Sequence, residues 1–591
     1  MIKVSDLVFD YIASLGVKHV FYLPGGGAMH LDDSLGHHEG LTPVCMLHEQ
    51  PCAIAAEAYA RISEGFGVCV VTSGPGATNA ITGLAGAWLD ATPVIFLSGQ
   101  AKRADLVNGQ GIRQFGIQEI GIVDIVKSIT KYAVQVRDAE DILYELEKAT
   151  ALAKEGKPGP VWLDIPLDIQ ASKVNVETLR HYNGKIPAYE CKDEDILKSI
   201  ELLNWAERPL LLLGNGVRLA KAIPEMNALI DLLHIPVMTT WNGVDLIEND
   251  HPLFFGRPGA VGHRHANFIQ QNADFVLTIG TRLNLLSTGY DFDSFLRKAK
   301  HVMVEIDENE LKKISVHPSL AIHADAKSFM TKLLQNSARI EEKPRDAWMA
   351  YCKRIRAKYP LFIPEQVPDG EGINTYTLVN SLTERMSSND IYQFTSSGTG
   401  ADIAMYGFRI KKGQRAFLTK GLASMGFDLS ACIGSCLASG KRRTICITGD
   451  GGFLMNVQEL ATLNYQNLPI KLFILCNEGY GMIYNSQAGN FKRLTGCTRD
   501  SGLGMPNLKD VVNSFNIKTF DIDSESNLDN VVEEVLAYDG PAVCLVKVYI
   551  AQKILPRQTN YMKPDGQMAS RPLEDMSPLL ERDEYNENML S

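Results

Sequence analysis

Two kinds of apolar pattern take turns along the chain. Leu7, Val8, Tyr11, Ile12 and Leu15 recur at helical spacing and stop at Gly16, with Ser5 placed to cap the helix. A short apolar run, HVFYL (19–23), then ends in Pro24, Gly25, Gly26 and Gly27, and VCVVTSGPG (68–76) repeats that passage from strand into glycines. PVWLDIP (160–166) reads as the last strand of this block, and the polar stretch 174–193 as a linker. A second block holds PLLLLGNGV (209–217), FVLTIGTRL (275–283) and HVMVEID (301–307), and ends near the charged SARIEEKPRDAW (337–348). The third starts near Ile373 and contains two more apolar runs, TICIT (444–448) and LFILC (472–476), with a helix-like segment at 456–464 between them. Its QFTSSGTG (393–400) echoes VTSGPGATN (71–79), which fits two related halves flanking a middle domain. Helix and strand signals in alternation predict parallel sheets covered on both faces. The expected fold is α/β, with three doubly wound parallel-sheet domains at 1–172, 190–340 and 365–552. An extended C-terminal arm, 553–591, follows and could fold over a pocket as a water-excluding lid.

Composition narrows the function classes. With 45% hydrophobic and 21% charged residues, 591 residues suit an ordinary globular protein of about three domains. Net charge is −11, and no basic cluster is interleaved with aromatics, so nucleic acid is not an expected partner. MIKVSDLVFDYI lacks a signal-peptide pattern, and no apolar run approaches the roughly 18 residues that span a bilayer. Eleven cysteines lie singly in apolar stretches, among them Cys69, Cys446, Cys476 and Cys544, which suits reduced thiols and a cytoplasmic location. Cys432 and Cys436 have no histidine or second cysteine pair nearby and do not read as a zinc site.

The third block carries the chemistry. TICIT ends in Gly449, Asp450, Gly451 and Gly452, and LFILC ends in Asn477. Two parallel strands would thus deliver oxygen ligands to one sheet edge, where open α/β sheets bind ligands. A carboxylate and an amide oxygen are hard donors suited to Mg²⁺, and the glycines let backbone N–H groups approach a diphosphate. Gly-Asp-Gly alone is common turn chemistry. Joined to MNVQEL (455–460) and CNEGYGMI (476–483), however, it resembles the thiamine-diphosphate motif of the acetolactate-synthase-like family. The resemblance implies thiamine diphosphate with Mg²⁺ held by Asp450, Asn477 and the backbone carbonyl of Gly479. It adds Gly449, Gly451, Gly452, Tyr480, Gly481 and Met482 as cofactor contacts, Met482 also lining the substrate pocket.

Glu49 lies in HEQPCAIAAEAYAR (48–61), where Pro51 fits a first helical turn. A carboxylate among so many small apolar residues is costly to desolvate unless it is needed; an acid favoured by a helix N-terminus, or a surface charge, is the plain alternative. This segment and the following GVCVVTSGPGATNAITGLAGAWLDATPVIFLSGQ (67–100) resemble the family's first domain. There the matching glutamate hydrogen-bonds the cofactor's pyrimidine ring, which makes Glu49 the leading catalytic candidate, with Pro75 and Asn79 as cofactor contacts. GLASMGFDLSACIG (421–434) resembles the segment that props the cofactor's two rings apart, by Met425, with the carbonyl of Ala423 accepting from its amine. Residue type alone would make Met425 a gap-filling core methionine. Gln118 resembles the glutamine of the family's FQE segment, a neutral donor able to stabilise a developing alkoxide; Ile117 stands where the family usually has phenylalanine. Gly25, Gly26, Gly27 and Ala28 resemble the family's PGG turn, whose backbone, at Gly26, faces the reacting carbon. Gly398, Thr399 and Gly400 resemble the diphosphate-side loop, although Ala401 and Asp402 replace its usual Gln-His. His37 and His38 lie upstream of Glu49, unlike the paired histidines of simple decarboxylases, and read as loop residues.

The family's middle domain sometimes holds FAD. GNGVRLA lacks a full GxGxxG, and GTRLNLL lacks the acidic pair of FAD-binding members, so FAD is not expected. Active sites in the family form between the first domain of one subunit and the third of another, which implies a homodimer or homotetramer. The expected activity is decarboxylation of a 2-oxo acid, pyruvate, and transfer of the remaining unit to a second carbonyl. That acceptor is another 2-oxo acid or a nucleotide-linked keto-deoxysugar; 485–511 and 570–589 look more like carboligases of surface-polysaccharide pathways. A simple decarboxylase and a catalytically inactive binding protein are the alternatives.

Overall fold

Apolar runs without polar alternation, such as Gly67–Val71, Pro209–Leu213 and Phe275–Ile279, are buried along their whole length, as strands covered on both faces must be. The computed structural model describes residues 1–361, 372–395 and 398–590; the expected domain start at 365 and Ser396 and Ser397 of QFTSSGTG lie outside them. The described residues divide into two compact units. The first contains 1–187, 389–398 and 419–550, and the second 188–388, 399–418 and 551–590.

The first unit holds two parallel sheets. One consists of β1 (His19–Tyr22), β2 (Thr42–Cys45), β3 (Gly67–Val71), β4 (Val94–Gln100), β5 (Tyr132–Gln135) and β6 (Val161–Pro166), in the order β2-β1-β3-β4-β6-β5. In the second unit, β7 (Pro209–Leu213), β8 (Val237–Thr239), β9 (Phe275–Ile279), β10 (Lys300–Glu305) and β11 (Leu320–His323) form a parallel sheet ordered β8-β7-β9-β10-β11. The first unit's other sheet runs β12-β13-β14-β16-β15, from β12 (Ile391–Gln393), β13 (Thr444–Gly449), β14 (Ile470–Cys476), β15 (Lys518–Ile522) and β16 (Ala542–Lys547). Leaving out edge strand β2, both sheets of this unit read first, second, third, fifth, fourth in chain order. The shared order extends the short echo between their glycine loops to five strands of each sheet.

Local expectations need three corrections here. Helix Val4–Ser14 begins before Ser5, because Ile2–Lys3 pairs with Lys173–Val174 and the carbonyl of Ser172 receives the N–H of Val4 at 2.9 Å. Ser5 is therefore inside the helix, its hydroxyl accepting from Ser34 Oγ at 2.8 Å. Gly16 ends the helix in the left-handed region, φ +84°. β6 is not the block's last strand, since Lys173–Val174 follows, and in the sheet it lies inside β5. His37 is the last residue of helix Met29–His37, and it and His38 face Asp6 and Asp10 at 3.5 and 3.3 Å.

The alanine-rich segment after Glu49 forms helix α1 (Glu49–Ser63), which packs on α2 (Phe427–Ala438). Cys52, Ala53, Ala55, Ala56 and Tyr59 share one core with Leu429, Cys432, Ile433 and Cys436. At Gly434 a Cβ would stand 2.1 Å from the carbonyl oxygen of Ala55, so the two backbones are in direct contact. Small side chains on both helices allow that approach.

In the second unit, the loops leaving β7 and β9 touch in the same way: a Cβ at Gly214 would meet the oxygen of Gly280 at 2.2 Å. Helix Arg264–Asn272 is buried at all nine positions although its sequence, RHANFIQQN, is mostly polar. The C-terminal segment explains this. Asn267 donates to the carbonyl of Leu573 at 2.8 Å, Arg264 to that of Pro578 at 2.6 Å and Asn272 to that of Asn588 at 3.0 Å. Glu574, fully buried, accepts from Gln271 and Tyr585 at 3.1 and 3.0 Å and pairs with Arg297. The segment is not an extended arm. It carries a small hairpin, Asn560–Met562 with Met568–Ser570, and helix Arg582–Asn588, and it is bonded onto its unit at Gln558 and at several points from Leu573 to Asn588. Among the described residues, no helix is long and apolar enough to cross a membrane.

The α1–α2 contact yields a direct expectation. Gly434→Ala should cost about 1–3 kcal/mol, the usual penalty for overpacking, because neither backbone can yield independently. Urea denaturation measures it; an unchanged midpoint would show that the helices separate freely.

Candidate active site

At the first sheet, four connections leave carboxyl ends of neighbouring strands. The glycine turn follows β1, Glu49 follows β2, residues 72–79 follow β3, and the long segment 101–121 follows β4. A Cβ at Gly25 would lie 2.5 Å from Thr72, and one at Gly27 would lie 2.5 Å from Ser73 Oγ, so glycine alone lets the turn rest on the next loop. Gly27 N–H donates to Thr72 Oγ1 at 3.0 Å and Gly25 N–H to Asp32 Oδ2 at 3.0 Å. Burial pushes the Asp32 carboxyl up to about 6 against the pull of that N–H. Gly26 is exposed in the short 3₁₀ turn Gly26–Ala28, with open space where a side chain would be.

Glu49 opens α1 and is only 7% exposed. His48 Nδ1 caps the helix by accepting from Gln50 N–H at 3.2 Å. Asn79 donates through Nδ2 to Glu49 Oε2 at 3.0 Å. The other oxygen, Oε1, lies 3.5 Å from where a Cβ on Gly76 would stand, so glycine keeps room beside the carboxylate. Pro75 starts the short helix Pro75–Asn79, just after Gly74 at φ +63°. Gln118 reaches the same place: its carbonyl oxygen would be 2.8 Å from a Cβ on Gly74, and its own φ is +59°. The structure thus gathers Glu49, Pro75, Asn79 and Gln118 around one loop. Ile117 is 90% exposed.

In the other sheet of this unit, Asp450 follows β13 and Asn477 follows β14, adjacent strands in which Gly449 pairs with Leu475. Asp450 is 3% exposed. Its Oδ1 accepts from Gly451 N–H at 2.8 Å, and Oδ2 from the N–H groups of Asn477 and Glu478 at 3.0 and 2.8 Å. Burial pushes this carboxyl up to about 6, with the N–H bonds pulling the other way. Asn477 Oδ1 accepts from Gly479 N–H at 3.1 Å. A Cβ on Gly451 would strike the Tyr480 ring at 2.3 Å, and one on Gly479 the carbonyl of Cys497 at 2.2 Å. Gly449 has open space around it, and a Cβ on Gly452 would lie 3.5 Å from Asp428 Oδ2. Gly481 and Met482 begin helix Gly481–Asn490, with Met482 42% exposed.

The helix expected at 456–464 differs. The chain turns helical at Asp450 itself, in Asp450–Leu454, then Val457–Glu459 and Leu460–Tyr465. Asn456 breaks the run because its side chain donates to the carbonyl of Gly426 at 2.7 Å, holding that glycine at φ +85°. In the same loop Met425 is half-buried, and Ala423 sits at φ +55°, a conformation an alanine keeps only when its surroundings impose it. The loop starts far from Glu49. A Cβ on Gly421 would be 2.8 Å from Leu89 Cβ and 3.3 Å from Asp90, and Asp90 pairs with Arg61 at 3.5 Å. Arg61 lies about 18 Å along α1 from Glu49 at 1.5 Å per residue. Gly398, φ +90°, has open space around it; Thr399 and Gly400 open helix Thr399–Gly407 in the second unit.

Two supporting residues escaped the sequence reading. Asp428 Oδ2 accepts from Thr395 Oγ1 at 2.9 Å and Thr448 Oγ1 at 2.5 Å, beneath Asp450. Its signal was the one that marked Glu49, a carboxylate at the start of an apolar helix. Thr72 left no such signal, since its hydroxyl matters only through the glycine turn it meets.

Profiles of thiamine pyrophosphate enzymes match the chain in three parts: the N-terminal TPP binding domain over residues 2–125, the central domain over 196–333 and the C-terminal TPP binding domain over 398–546. Acetolactate synthase isozyme 1 large subunit of Escherichia coli is 30% identical over 552 residues, 93% of this chain and 95% of that protein. The acetolactate synthase large subunit of Porphyra purpurea is 31% identical over 546 residues, 91% and 90% of the two chains. A probable acetolactate synthase large subunit of Methanocaldococcus jannaschii is 34% identical over 495 residues, 82% of each. The chain therefore belongs to the thiamine-diphosphate-dependent enzymes of the acetolactate-synthase type.

Proposed function

We propose that this protein is a Mg²⁺-dependent carboligase that decarboxylates pyruvate and joins the remaining two-carbon unit to the carbonyl of a second 2-oxo acid. The observation that carries the reading is a pair of buried carboxylates, Glu49 and Asp450, each at the carboxyl edge of a parallel sheet of the same topology. Relatives named as acetolactate synthases support the choice of substrates.

The residues suit the cofactor. Asp450 and Asn477 offer hard oxygen donors on adjacent strands, and Gly479 a backbone carbonyl beside them. Gly76 leaves room at Glu49 Oε1 that any other side chain would fill. When bound, thiamine diphosphate supplies a thiazolium that takes up the electrons released on decarboxylation. Glu49 holds a proton at the pyrimidine nitrogen, with Asn79 fixing its second oxygen. Ala423 would offer its carbonyl to the cofactor's exocyclic amine, and Met425 would pack beside its rings. Gly449, Gly451, Gly452, Gly398, Thr399, Gly400, Pro75, Tyr480 and Gly481 complete the cofactor contacts. Gln118 and the backbone of Gly26 face the reacting carbonyl, and Met482 covers the substrate side.

The assembly is a homodimer or a homotetramer made of two dimers, with domains at 1–172, 190–340 and 365–552. Its support is the loop that carries Ala423 and Met425, which begins one helix length from Glu49 of its own chain. A second copy would bring its own loop to that glutamate. Mixed dimers test this. Glu49→Gln and Asp450→Asn proteins should each be nearly inactive, whereas random hybrids should regain about a quarter of wild-type activity, one intact site in half of the dimers. No recovery would place the site within one chain.

Cation binding should follow Asp450. The ion needs the ionised carboxylate, whose affinity for protons is raised by burial to about 6. Mg²⁺ affinity in the presence of thiamine diphosphate should be level above pH 7 and fall about tenfold per unit below 6. Calorimetry showing a level profile down to pH 5 would remove Asp450 as a ligand.

A second acceptor, a nucleotide-linked keto-deoxysugar, is favoured by one feature. Ile117, exposed beside Gln118, is smaller than the family's usual phenylalanine and would crowd a larger acceptor less. Mass spectrometry of products from labelled pyruvate decides between the acceptors. Acetolactate from pyruvate alone supports the main reading, a labelled branched sugar formed only with the keto-sugar supports the second, and acetaldehyde alone overturns both.

A further inference from the structure

The segment 101–121 is a long excursion whose only regular structure is the turn Arg103–Asp105, and such loops need specific ties to hold one shape. Its base is tied by Gln100, which donates through Nε2 to the carbonyl of Ile120 at 3.0 Å and to buried Asp164 at 3.1 Å. Arg103 ties one side to Asp168, through its backbone N–H at 3.0 Å and Nε at 2.7 Å. The middle is gathered on a single side chain. Glu119 Oε1 accepts from Val107 N–H at 2.6 Å, and Oε2 from Phe115 and Gly116 N–H at 2.9 and 3.0 Å. Gln114 closes the knot by donating to the carbonyl of Glu119 at 3.1 Å. Burial acts to raise the carboxyl's pKa, and the three N–H bonds outweigh it, leaving the group below its ordinary value.

Gln118 is the residue immediately before this knot. It is held in the left-handed region, unfavourable for a long side chain, with its backbone pressed on Gly74. Glu119 fixes it from one side and Gly74 from the other. We propose that Glu119 is a positioning residue for the carboligation step: its carboxylate gathers the N–H groups of Val107, Phe115 and Gly116 and thereby sets the orientation of Gln118 toward the reacting carbonyl. The proposal rests on the reading of Gln118 as an active-site donor.

An amide cannot replace this carboxylate, because its NH₂ would face backbone donors. Glu119→Gln should lower kcat for pyruvate consumption about 10–100-fold, with KM changed less than about threefold, since an oriented donor acts mainly in the transition state. In a Gln118→Ala background the same substitution should cost less than about threefold more, because the residue it positions is already gone. Equal losses in both backgrounds, or a wild-type rate for Glu119→Gln beside an impaired Gln118→Ala, would overturn the proposal and leave the reading of Gln118 standing. An unimpaired Gln118→Ala would remove both. Should Glu119→Gln fail to fold, Glu119→Asp keeps the charge but shortens the reach. It should show a smaller loss with the same coupling to Gln118, and additivity would again overturn the proposal. Tryptic cleavage after Arg113 supplies a readout apart from activity: it should quicken at least about tenfold in whichever variant folds, and an unchanged rate would count against the knot.

Discussion

Taking a carboxylate out of water at the end of a parallel strand is expensive, and at Asp450 the cost is met by backbone alone. Three N–H groups converge on its two oxygens, two of them from the neighbouring strand's exit. That convergence requires β13 and β14 to end in register and the chain to turn sharply after each. The turns in turn require glycine, since a side chain at Gly451 or Gly479 would meet Tyr480 or Cys497. Even with this support, burial pushes the carboxyl up to about 6.

The same logic of close backbone approach recurs at other contacts in this molecule. Gly25 and Gly27 let one loop lie on Thr72 and Ser73, Gly214 lets the exits of β7 and β9 touch, and Gly434 lets α2 lie on α1. Each contact depends on a missing side chain, so each tolerates little change. At the α1–α2 contact, α1 starts at Glu49 and α2 follows the loop of Ala423 and Met425. Where those helices cross fixes how far apart these residues lie in one chain.

The second unit solves a different problem. Helix Arg264–Asn272 has too few apolar residues to be buried by hydrophobic contact, and its Asn267 and Asn272 amides donate to carbonyls of a segment that has few ladder partners of its own. Each supplies what the other lacks, with Glu574 held among Gln271, Tyr585 and Arg297 as the deepest point of attachment.

Much was legible in the sequence because it depends on local rules. Strand runs without alternation announced buried parallel sheets, and glycines after strands announced loops that crowd a neighbour. The spacing of Asp450 and Asn477 placed both at strand ends. Glu49, Asn79 and Gln118 were named singly, and only the fold showed them around one loop, since their separation in sequence carries no distance. Asp428 and Glu119 stayed hidden for a related reason: a carboxylate's role depends on which N–H and O–H groups converge on it, and these come from distant or irregular backbone. The start of helix Asp450–Leu454, the attachment of the polar C-terminal segment and the gap between Glu49 and Gly421 were likewise decided by packing. Periodicity reports which face of an element is apolar, whereas only tertiary structure sets what that face, or a buried charge, finally meets.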